Sequence, residues 1–396
     1  MLSRHLAPYL KRDSTFYPVV TLTGPRQSGK TTLARSIFPE HSYFSLEDVD
    51  SRQFASEDPR GFLRECGDHA ILDEVQRCPD LISYIQTEVD RNDSPGRFIL
   101  TGSQNFLLME SISQSLAGRS GILHLLPLSR SELEQQPPPV STDPSSLFHN
   151  ETTRFDCWDL LHTGFYPRIY DRNIPPEVWL ADYTRTYVER DLRQLVQVGD
   201  LETFERFLAL CAGRIGQLLN FSALAADAGI SVDTARRWIS ILKTSFLVFL
   251  LRPHHRNFNK RVIRSPKLYF HDTGLACRLL GITSREQLIN HPLRGALFEN
   301  LIIGEVWKFY IHQREDPPLF FWRDQTGHEI DLLIDQAGTL YSCEIKSGST
   351  VHGSMFETLS WWNRLTSMPP QNSTLVYGGV KTSRRKEIRV RPWFSI

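Results

Sequence analysis

A glycine-rich segment contains the first residues whose types and spacing suit phosphate chemistry. Residues 24–31 (GPRQSGKT) fit the pattern G-x-x-x-x-G-K-[ST]. They follow the apolar run 18–22 and precede a helical pattern, so strand, loop and helix come in the required order. Backbone N–H groups of such a loop surround phosphate oxygens, Lys30 reaches the outer phosphates, and the Thr31 hydroxyl ligates Mg²⁺. The sequence therefore predicts a site for ATP and Mg²⁺.

A strand ending in two carboxylates supplies the second part of this predicted site. Residues 69–72 (HAIL) lead directly into Asp73 and Glu74. Asp73 is expected to hold Mg²⁺, directly or through water, and Glu74 to act catalytically by orienting the hydrolytic water. An acidic pair after a strand could equally cap a helix. The phosphate loop makes the nucleotide-binding role the main hypothesis.

Two further positions are predicted to contact the nucleotide. Ser103 or Gln104 follows another apolar strand and is a candidate sensor of the γ-phosphate. Arg119 follows a tight turn, and could contact phosphate in its own subunit, serve as a finger to a neighbouring subunit, or be a surface arginine. The finger role predicts a homo-oligomer. The predicted nucleotide-binding residues are Gly24, Pro25, Arg26, Gln27, Ser28, Gly29, Lys30, Thr31, Thr32, Ser103 and Arg119.

A second set of charged residues lies near the C-terminus. Asp331 falls in HEIDLLID, and Glu344 and Lys346 fall in LYSCEIK. Residues i and i+2 of a strand share a face, so Glu344 and Lys346 point the same way, and a neighbouring strand can bring Asp331 opposite them. Two carboxylates could then hold Mg²⁺ while the lysine positions the attacking water. The alternative is a solvated ion pair on an exposed sheet face.

The elements that position these residues divide the chain into four predicted regions. Short apolar runs alternate with helical stretches up to about residue 127, which predicts an α/β layer with a parallel sheet. A Pro/Ser-rich stretch at 137–146 predicts a boundary. The predicted regions are 1–136 (phosphate-loop domain), 150–215 (helical connector), 216–275 (helix-turn-helix with a wing) and 276–396 (an amphipathic helix and an antiparallel meander).

A basic stretch suggests contact with nucleic acid. Residues 252–267 contain six Lys or Arg (Arg252, Arg256, Lys260, Arg261, Arg264, Lys267) and no acid. They could form a wing that grips phosphates while Arg236 and Arg237 of the preceding helix approach a groove. DNA rather than RNA is the expected partner. Winged helices also serve as protein-contact modules, so a protein partner is the alternative.

Composition limits the possible classes of protein. The 45 basic and 45 acidic residues of this 396-residue chain cancel, so any nucleic-acid contact must come from local patches. The longest apolar run has six residues, 246–251, which predicts no membrane span. The N-terminus does not resemble a secretory signal, and the six cysteines form no C-x-x-C pair. We therefore expect a cytoplasmic protein with buried thiols.

The motifs GPRQSGKTT, ILDEVQ, ILTGSQ and LAGR resemble those of a group of bacterial and archaeal AAA+-type ATPases. The resemblance continues through GFYP (164–167), YVERD (187–191) and PKLYFHDTGL (266–275), and so covers nearly the whole chain. It implies a P-loop NTPase domain, a winged-helix-like middle and a restriction-endonuclease-like α/β end.

The C-terminal carboxylates resemble the PD-(D/E)xK nuclease pattern. That resemblance implies catalytic roles for Asp331, Glu344 and Lys346, with Glu299 on the preceding helix as an acidic helper. The sequence departs from the pattern at Ile330, where the motif has proline, and this leaves cleavage in doubt. The main hypothesis is an ATPase that couples its nucleotide state to a nucleic-acid-binding, Mg²⁺-dependent nuclease module. The alternative keeps the ATPase but makes the nuclease-like domain a non-catalytic docking platform.

Overall fold

The computed structural model describes residues 2–103, 115–144, 147, 152–186, 201–254 and 264–396. Near the N-terminus the described strands form one parallel sheet with the order β2-β3-β4-β1-β5. Its strands are β1 (Val19–Gly24), β2 (Ser42–Ser45), β3 (Ala70–Asp73), β4 (Phe98–Ser103) and β5 (Ser120–His124). The predicted parallel α/β layer is confirmed.

Helices cover both faces of this sheet. Val19, Leu72 and Leu100 pack in one apolar cluster, whereas Leu22 and Ile99 pack in another on the opposite face. Strands buried on both faces read as continuous apolar runs, as in residues 70–72 of β3 and 98–100 of β4. The helices of this part are α1 (Ala7–Asp13), α2 (Lys30–Ile37), α3 (Val49–Glu57), α4 (Pro59–Cys66), α5 (Leu81–Arg91) and α6 (Arg130–Leu133), with a 3₁₀ turn at Val75–Arg77.

The middle of the chain is helical and includes a helix pair joined by a tight turn. The first helix of the pair begins after Asn220, whose side chain accepts from the N–H of Ala223, and ends at Gly229, whose φ is 73°. The second begins after Ser231, which accepts from the N–H of Thr234. The helices here are α7 (Cys157–Thr163), α8 (Pro167–Arg172), α9 (Pro176–Tyr183), α10 (Leu201–Ala212), α11 (Phe221–Ala228) and α12 (Val232–Thr244).

A second, mixed sheet follows, with the order β12-β13-β11-β10-β9-β8-β6-β7. Its strands β8, β9 and β10 form an antiparallel meander. The strands are β6 (Val248–Pro253), β7 (Lys267–Phe270), β8 (Leu319–Arg323), β9 (Glu329–Gln336), β10 (Thr339–Lys346), β11 (Ser373–Tyr377), β12 (Ser383–Arg385) and β13 (Ile388–Pro392). Because β6 pairs with β8, this sheet crosses the predicted region boundary at 275/276.

An 18-residue helix packs against this sheet, in an apolar core that extends from Leu128 to Phe394. The core therefore takes side chains from residues on both sides of the Pro/Ser-rich stretch. The remaining helices are α13 (Thr273–Leu279), α14 (Arg285–Asn290), α15 (Arg294–Ile311) and α16 (Glu357–Thr366), with 3₁₀ turns at Gly353–Phe356 and Pro370–Asn372.

The six cysteines are free and buried, which matches the expectation of buried thiols. Within the described ranges, no helix combines the length and apolar character that a bilayer crossing requires.

Candidate functional site

The glycine-rich segment forms a curled loop between β1 and α2. Gln27 and Gly29 adopt left-handed backbone conformations, with φ of 63° and 92°. A Cβ atom on Gly24 would lie 2.2 Å from the carbonyl oxygen of Leu125, so the close approach of these two chain segments requires glycine there. The helix N-terminus that follows directs unpaired N–H groups and a positive dipole toward the loop.

The loop borders a cavity of about 630 Å³. Of the residues predicted from the sequence, those that line the cavity are Arg26, Gln27, Ser28, Gly29, Lys30, Thr31, Thr32, Asp73 and Glu74. Gly24 and Pro25 stabilise the loop, because their carbonyl oxygens accept hydrogen bonds from Lys30. The structure thus brings the two parts of the predicted site together at the carboxyl edge of the parallel sheet.

Lys30 is buried and its ammonium group bonds within its own loop. Its Nζ lies 3.1 Å from the carbonyl oxygen of Gly24 and 2.9 Å from that of Pro25. Burial lowers the pKa of Lys30 to about 8, although the carboxylates of Asp73 and Glu74 partly oppose that effect. An anion entering the cavity would stabilise the charged form of this lysine.

Asp73 is held by hydroxyl donors. Its carboxylate accepts from Thr31 Oγ1 at 3.0 Å, from Tyr43 Oη at 2.8 Å and from Thr101 Oγ1. Burial, and then the bond to Asp73, raises the pKa of Tyr43 to about 12, so the phenol remains a donor at neutral pH. Thr31 and Asp73 therefore place a hydroxyl and a carboxylate side by side, a donor set that suits Mg²⁺.

Glu74 lies at the start of the 3₁₀ turn with a left-handed backbone, φ 56°. Its carboxylate accepts a hydrogen bond from the amide nitrogen of Gln76, which also donates to Ser103 Oγ at 2.9 Å. Ser103 is in register with Gly24 on the neighbouring strand. Gln76 therefore links Glu74 to the predicted sensor, whereas Gln104 lies outside the described residues.

Arg119 lies away from this cavity, which corrects the expectation that it contacts phosphate in its own subunit. It precedes β5, and Ser120 is in register with Val19 at the start of β1. The phosphate loop begins at the other end of β1, so roughly 15–20 Å of strand separates the two positions. The guanidinium of Arg119 instead pairs with Asp90 at the opposite edge of the sheet.

Three arginines outside the predicted motifs also line the cavity. They are Arg4, ahead of α1, and Arg168 and Arg172 on α8. Arg168 and Arg172 directly follow the GFYP segment at a spacing of four, which places them on one face of the helix. That spacing is visible in the sequence, but the position of α8 beside the cavity is not, because the cavity is lined by regions far apart in the chain.

The C-terminal carboxylates also come together. Lys346 pairs with Glu344, and its Nζ lies 3.9 Å from Asp331 Oδ2. Asp331 Oδ2 also accepts a hydrogen bond from the N–H of Ile345 at 2.8 Å. Glu344 is only 4% exposed, so the alternative of a solvated ion pair on an exposed face is wrong for this residue.

Burial and like charges raise the pKa of Glu344 and of Glu299. For Glu344 the burial comes first and the charge of Asp331 second, and for Glu299 burial dominates although Lys267 opposes it. Glu344 Oε2 is buried without a hydrogen-bond partner. Among the described residues, however, no three His, Cys, Asp or Glu side chains form a set that could hold a metal ion.

Lys267 corrects the prediction of a continuous basic stretch. It is 2% exposed, and its Nζ lies 3.0 Å from Glu299 Oε1 and also pairs with Glu329. The hydroxyl of Tyr269 donates to the same Glu299 oxygen. Because β7 packs against α15, Lys267 points into an acidic cluster formed by Glu299, Glu329, Asp331 and Glu344. Arg252 and Arg264 are exposed, while Arg256, Lys260 and Arg261 lie outside the described residues.

Comparison with known proteins assigns the N-terminal region. Residues 17–134 match an AAA domain, residues 154–286 match the domain of unknown function DUF8612, and residues 294–395 match the domain of unknown function DUF4143. Two mycobacterial proteins, the uncharacterized Mb2031c of Mycobacterium bovis and Rv2008c of Mycobacterium tuberculosis, are each 34% identical over 351 residues. The match covers 88% of this chain and 74% of theirs. The chain belongs to the family of these mycobacterial proteins.

The chain also overlaps in part with solved structures. A Walker-type ATPase of Pyrococcus abyssi is 16% identical, with 70% of this chain and 96% of that chain covered and a TM-score of 0.36. RuvB of Thermotoga maritima is 17% identical, with 62% and 87% covered and a TM-score of 0.26.

Proposed function

We propose that the chain binds and hydrolyses ATP in the cavity of its AAA domain, and that nucleotide state governs a nucleic-acid-binding C-terminal region. The convergence of Lys30, Thr31, Asp73 and Glu74 on one cavity beneath a curled glycine loop carries the first part of this proposal. The cavity of about 630 Å³ has the size of a site for a nucleotide-sized ligand. The match of residues 17–134 to an AAA domain supports the same activity.

Each side chain has a proposed role. Lys30 and the loop N–H groups bind the phosphates, and Arg168 and Arg172 add positive charge from α8. Thr31 and Asp73 would hold Mg²⁺, which neutralises charge on the transferred phosphoryl group. Glu74 orients the attacking water, and its bond to Gln76 keeps the carboxylate in place.

Phosphate release from ATP by the purified full-length chain tests this activity. Lys30→Ala is expected to abolish nucleotide binding, and Glu74→Gln to retain binding but lower the rate by roughly 100-fold or more. Arg91→Ala, in an exposed ion pair with Glu88, is the control and should match the wild type. Hydrolysis by Lys30→Ala at the wild-type rate would contradict the proposal.

For the C-terminal region we propose a Mg²⁺-dependent nuclease site formed by Asp331, Glu344 and Lys346, with Glu299 as helper. The buried, unpartnered oxygen of Glu344 and the raised pKa of its carboxyl group suit a divalent cation, which would relieve the repulsion between Glu344 and Asp331. Two carboxylates with water ligands are sufficient for Mg²⁺. The expected substrate is DNA.

The non-catalytic docking platform is the second candidate. Lys267 already pairs with Glu299 and Glu329, so the charge of these two carboxylates is neutralised without a metal ion. DNA incubated with the wild type and Lys346→Ala, with and without ATP and Mg²⁺, distinguishes the two. Cleavage lost in Lys346→Ala supports the nuclease, whereas a mobility shift without any cleavage supports docking.

The exposed basic residues of α12 are the proposed nucleic-acid contact. Arg236 and Arg237 are exposed, and the Arg236 guanidinium lies 4.6 Å from the centre of the Phe221 ring. The double variant Arg236→Ala/Arg237→Ala should weaken DNA binding and reduce its salt dependence. Arg285→Ala, in an exposed ion pair with Asp156 and Asp159, is the control. Equal binding by both variants would contradict this contact.

We also propose that the chain forms a homo-oligomer in which Arg119 reaches the nucleotide of a neighbouring subunit. The Arg119 side chain is 37% exposed and lies at the end of the sheet opposite the phosphate loop. From there it could reach a nucleotide only if that nucleotide were bound to a second copy of the chain. Sedimentation with a non-hydrolysable ATP analogue should show an oligomer. A monomer at every protein concentration would contradict the role in trans.

A further inference from the structure

Arg4 connects the N-terminal segment to the phosphate loop. The residue is 7% exposed, and its guanidinium makes three hydrogen bonds. Nη1 donates to the carbonyl oxygen of Ser28 at 2.7 Å, Nη2 to that of Leu126 at 2.6 Å, and Nε to Glu132 Oε1 at 3.1 Å. One planar side chain therefore ties the phosphate loop to the segment that follows β5.

The bond to Ser28 fixes the orientation of one peptide unit in the loop. In a trans peptide the carbonyl and the following N–H point in opposite directions. Because the Ser28 carbonyl is turned toward Arg4, the N–H of Gly29 points away from it. A loop that binds phosphate depends on the direction of such N–H groups, so a group that holds the carbonyl also sets the direction of the donor.

Glu132 holds Arg4 in position. Its carboxylate is fully buried and also accepts from the N–H of His5 at 2.7 Å and of Ser129 at 2.9 Å. Burial opposes ionisation, but the charge of Arg4 prevails and lowers the pKa of Glu132 to about 2. The pair is therefore charged at neutral pH and shielded from solvent.

The C-terminal end of α15 packs on the other side of the same segment. Lys308 Nζ donates to the carbonyl oxygen of Leu128 at 2.9 Å, and Glu305 accepts from the N–H of Arg130 at 2.7 Å. His312 Nδ1 lies 3.5 Å from Glu132 Oε1. Burial lowers the pKa of His312 to about 3, so this is a contact of a neutral imidazole with the carboxylate. The same helix carries Glu299 of the acidic cluster.

We propose that Arg4 is a positioning residue of the phosphate loop, and that its contact with Glu132 transmits the nucleotide state of that loop to α15. The inference rests on the proposed ATP site and adds a route by which this site regulates the C-terminal region. Neither Arg4 nor Glu132 takes part in the chemistry itself. Both act by holding the Ser28 carbonyl and the segment 125–134 between the loop and the helix.

Affinity for ATP, measured by fluorescent-nucleotide titration of the full chain, tests the positioning role. Arg4→Lys keeps the charge but cannot make three directed bonds, and should weaken binding by roughly tenfold or more. Glu132→Gln should weaken it by a similar factor. The double variant should lose little more than either single variant, because both changes remove one contact.

Arg314→Lys is the matched control. Arg314 follows α15 and its Nε lies 2.6 Å from Asp13 Oδ2, so it joins α15 to α1 through a buried carboxylate without touching the phosphate loop. Its ATP affinity should stay within about twofold of the wild type. Equal affinities for Arg4→Lys and the wild type would overturn the positioning role. No ATP binding by the wild type would overturn the proposed function as well, so the two failures are distinct.

Hydrogen exchange of the α15 backbone tests the connection to the C-terminal region. Addition of ATP should slow exchange of residues 305–312 in the wild type and in Arg314→Lys, and should leave it unchanged in Arg4→Lys at saturating nucleotide. A slowing of equal size in Arg4→Lys, or none in the wild type with ATP bound, would overturn the connection.

Discussion

Two buried lysines, one in each candidate site, have opposite electrostatic environments. Lys30 is 5% exposed and its pKa is lowered, because burial outweighs the nearby carboxylates. Lys267 is 2% exposed and its pKa is raised, because Glu299, Asp331 and Glu329 together outweigh burial. The same side chain at nearly the same exposure therefore has opposite shifts of its pKa.

The two sites differ in whether the protein itself neutralises the charge of the lysine. The hydrogen bonds of Lys30 go to neutral carbonyl groups, so its charge remains available to an entering anion. The charge of Lys267 is already neutralised within the fold by two carboxylates. The positive charge in the AAA cavity therefore suits an anionic ligand. In the C-terminal cluster, part of the negative charge is neutralised by Lys267.

The largest expected effect is on stability, from removing each lysine. Lys267→Met leaves the half-buried carboxylates of Glu299 and Glu329 without their ammonium partner, and should lower the free energy of unfolding by about 3 kcal/mol. Lys30→Met removes a buried charge whose hydrogen bonds within the described part of the chain go to carbonyl groups, and should change the free energy by at most about 1 kcal/mol. Urea unfolding of the apo protein measures both. Equal losses would remove the distinction between the two environments.

The pH dependence of ATP affinity tests whether the charge of Lys30 contributes to nucleotide binding. In the free protein the pKa of Lys30 is about 8, and a bound phosphate raises it. At a pH between the pKa of Lys30 in the free protein and its pKa in the complex, ATP binding is accompanied by uptake of a proton. The affinity for ATP should therefore fall as pH rises above about 8, by up to about tenfold per pH unit. Lys30→Arg stays charged and should bind with an affinity independent of pH in this range. A wild-type affinity unchanged from pH 7 to 9.5 would contradict the proposed contact.

Glu344 provides the corresponding test in the C-terminal cluster. Its pKa is raised in the folded protein, so the folded state binds more protons than the unfolded state above pH ~4.3. Stability is therefore lost as pH rises through the folded pKa. Glu344→Gln removes this penalty and should be about 1 kcal/mol more stable than the wild type at pH 8, with no gain at pH 4. Denaturant midpoints at the two pH values measure the difference. A less stable variant at pH 8 would show that Lys346 already compensates for the charge.

The AAA domain could be predicted from the sequence because its motifs are local. Residues 24–31 and 73–74 each lie at the end of a buried strand, and parallel strands bring such ends to one edge. The same rule could have excluded Arg119 from the cavity, since it stands before a strand rather than after one. Arg4 reaches the loop, and Arg168 the cavity, only through tertiary packing, which no local pattern encodes.

The C-terminal cluster was predicted only in part for a similar reason. The i, i+2 spacing of Glu344 and Lys346 follows from strand geometry. The basic residues around Lys267 predict a position in a solvent-exposed basic stretch. In the structure β7 is an edge strand of the second sheet and packs against α15. The side chain of Lys267 therefore points inward to Glu299. Burial of that kind depends on strand pairing across distant regions.

The smallest expected effect concerns the hydroxyl groups around Asp73. Tyr43→Phe removes one of three donors, whose Oη lies 2.8 Å from the carboxylate. A neutral donor to a charged group that keeps two other partners should contribute about 0.5–1 kcal/mol, so the Mg²⁺ concentration for half-maximal ATP hydrolysis should rise about two- to fivefold with kcat unchanged. Tyr84→Phe, on α5 away from the cavity, is the control. Because Thr31 and Thr101 still hold Asp73, a loss larger than tenfold would mean that Tyr43 contacts the nucleotide itself and does more than orient the carboxylate.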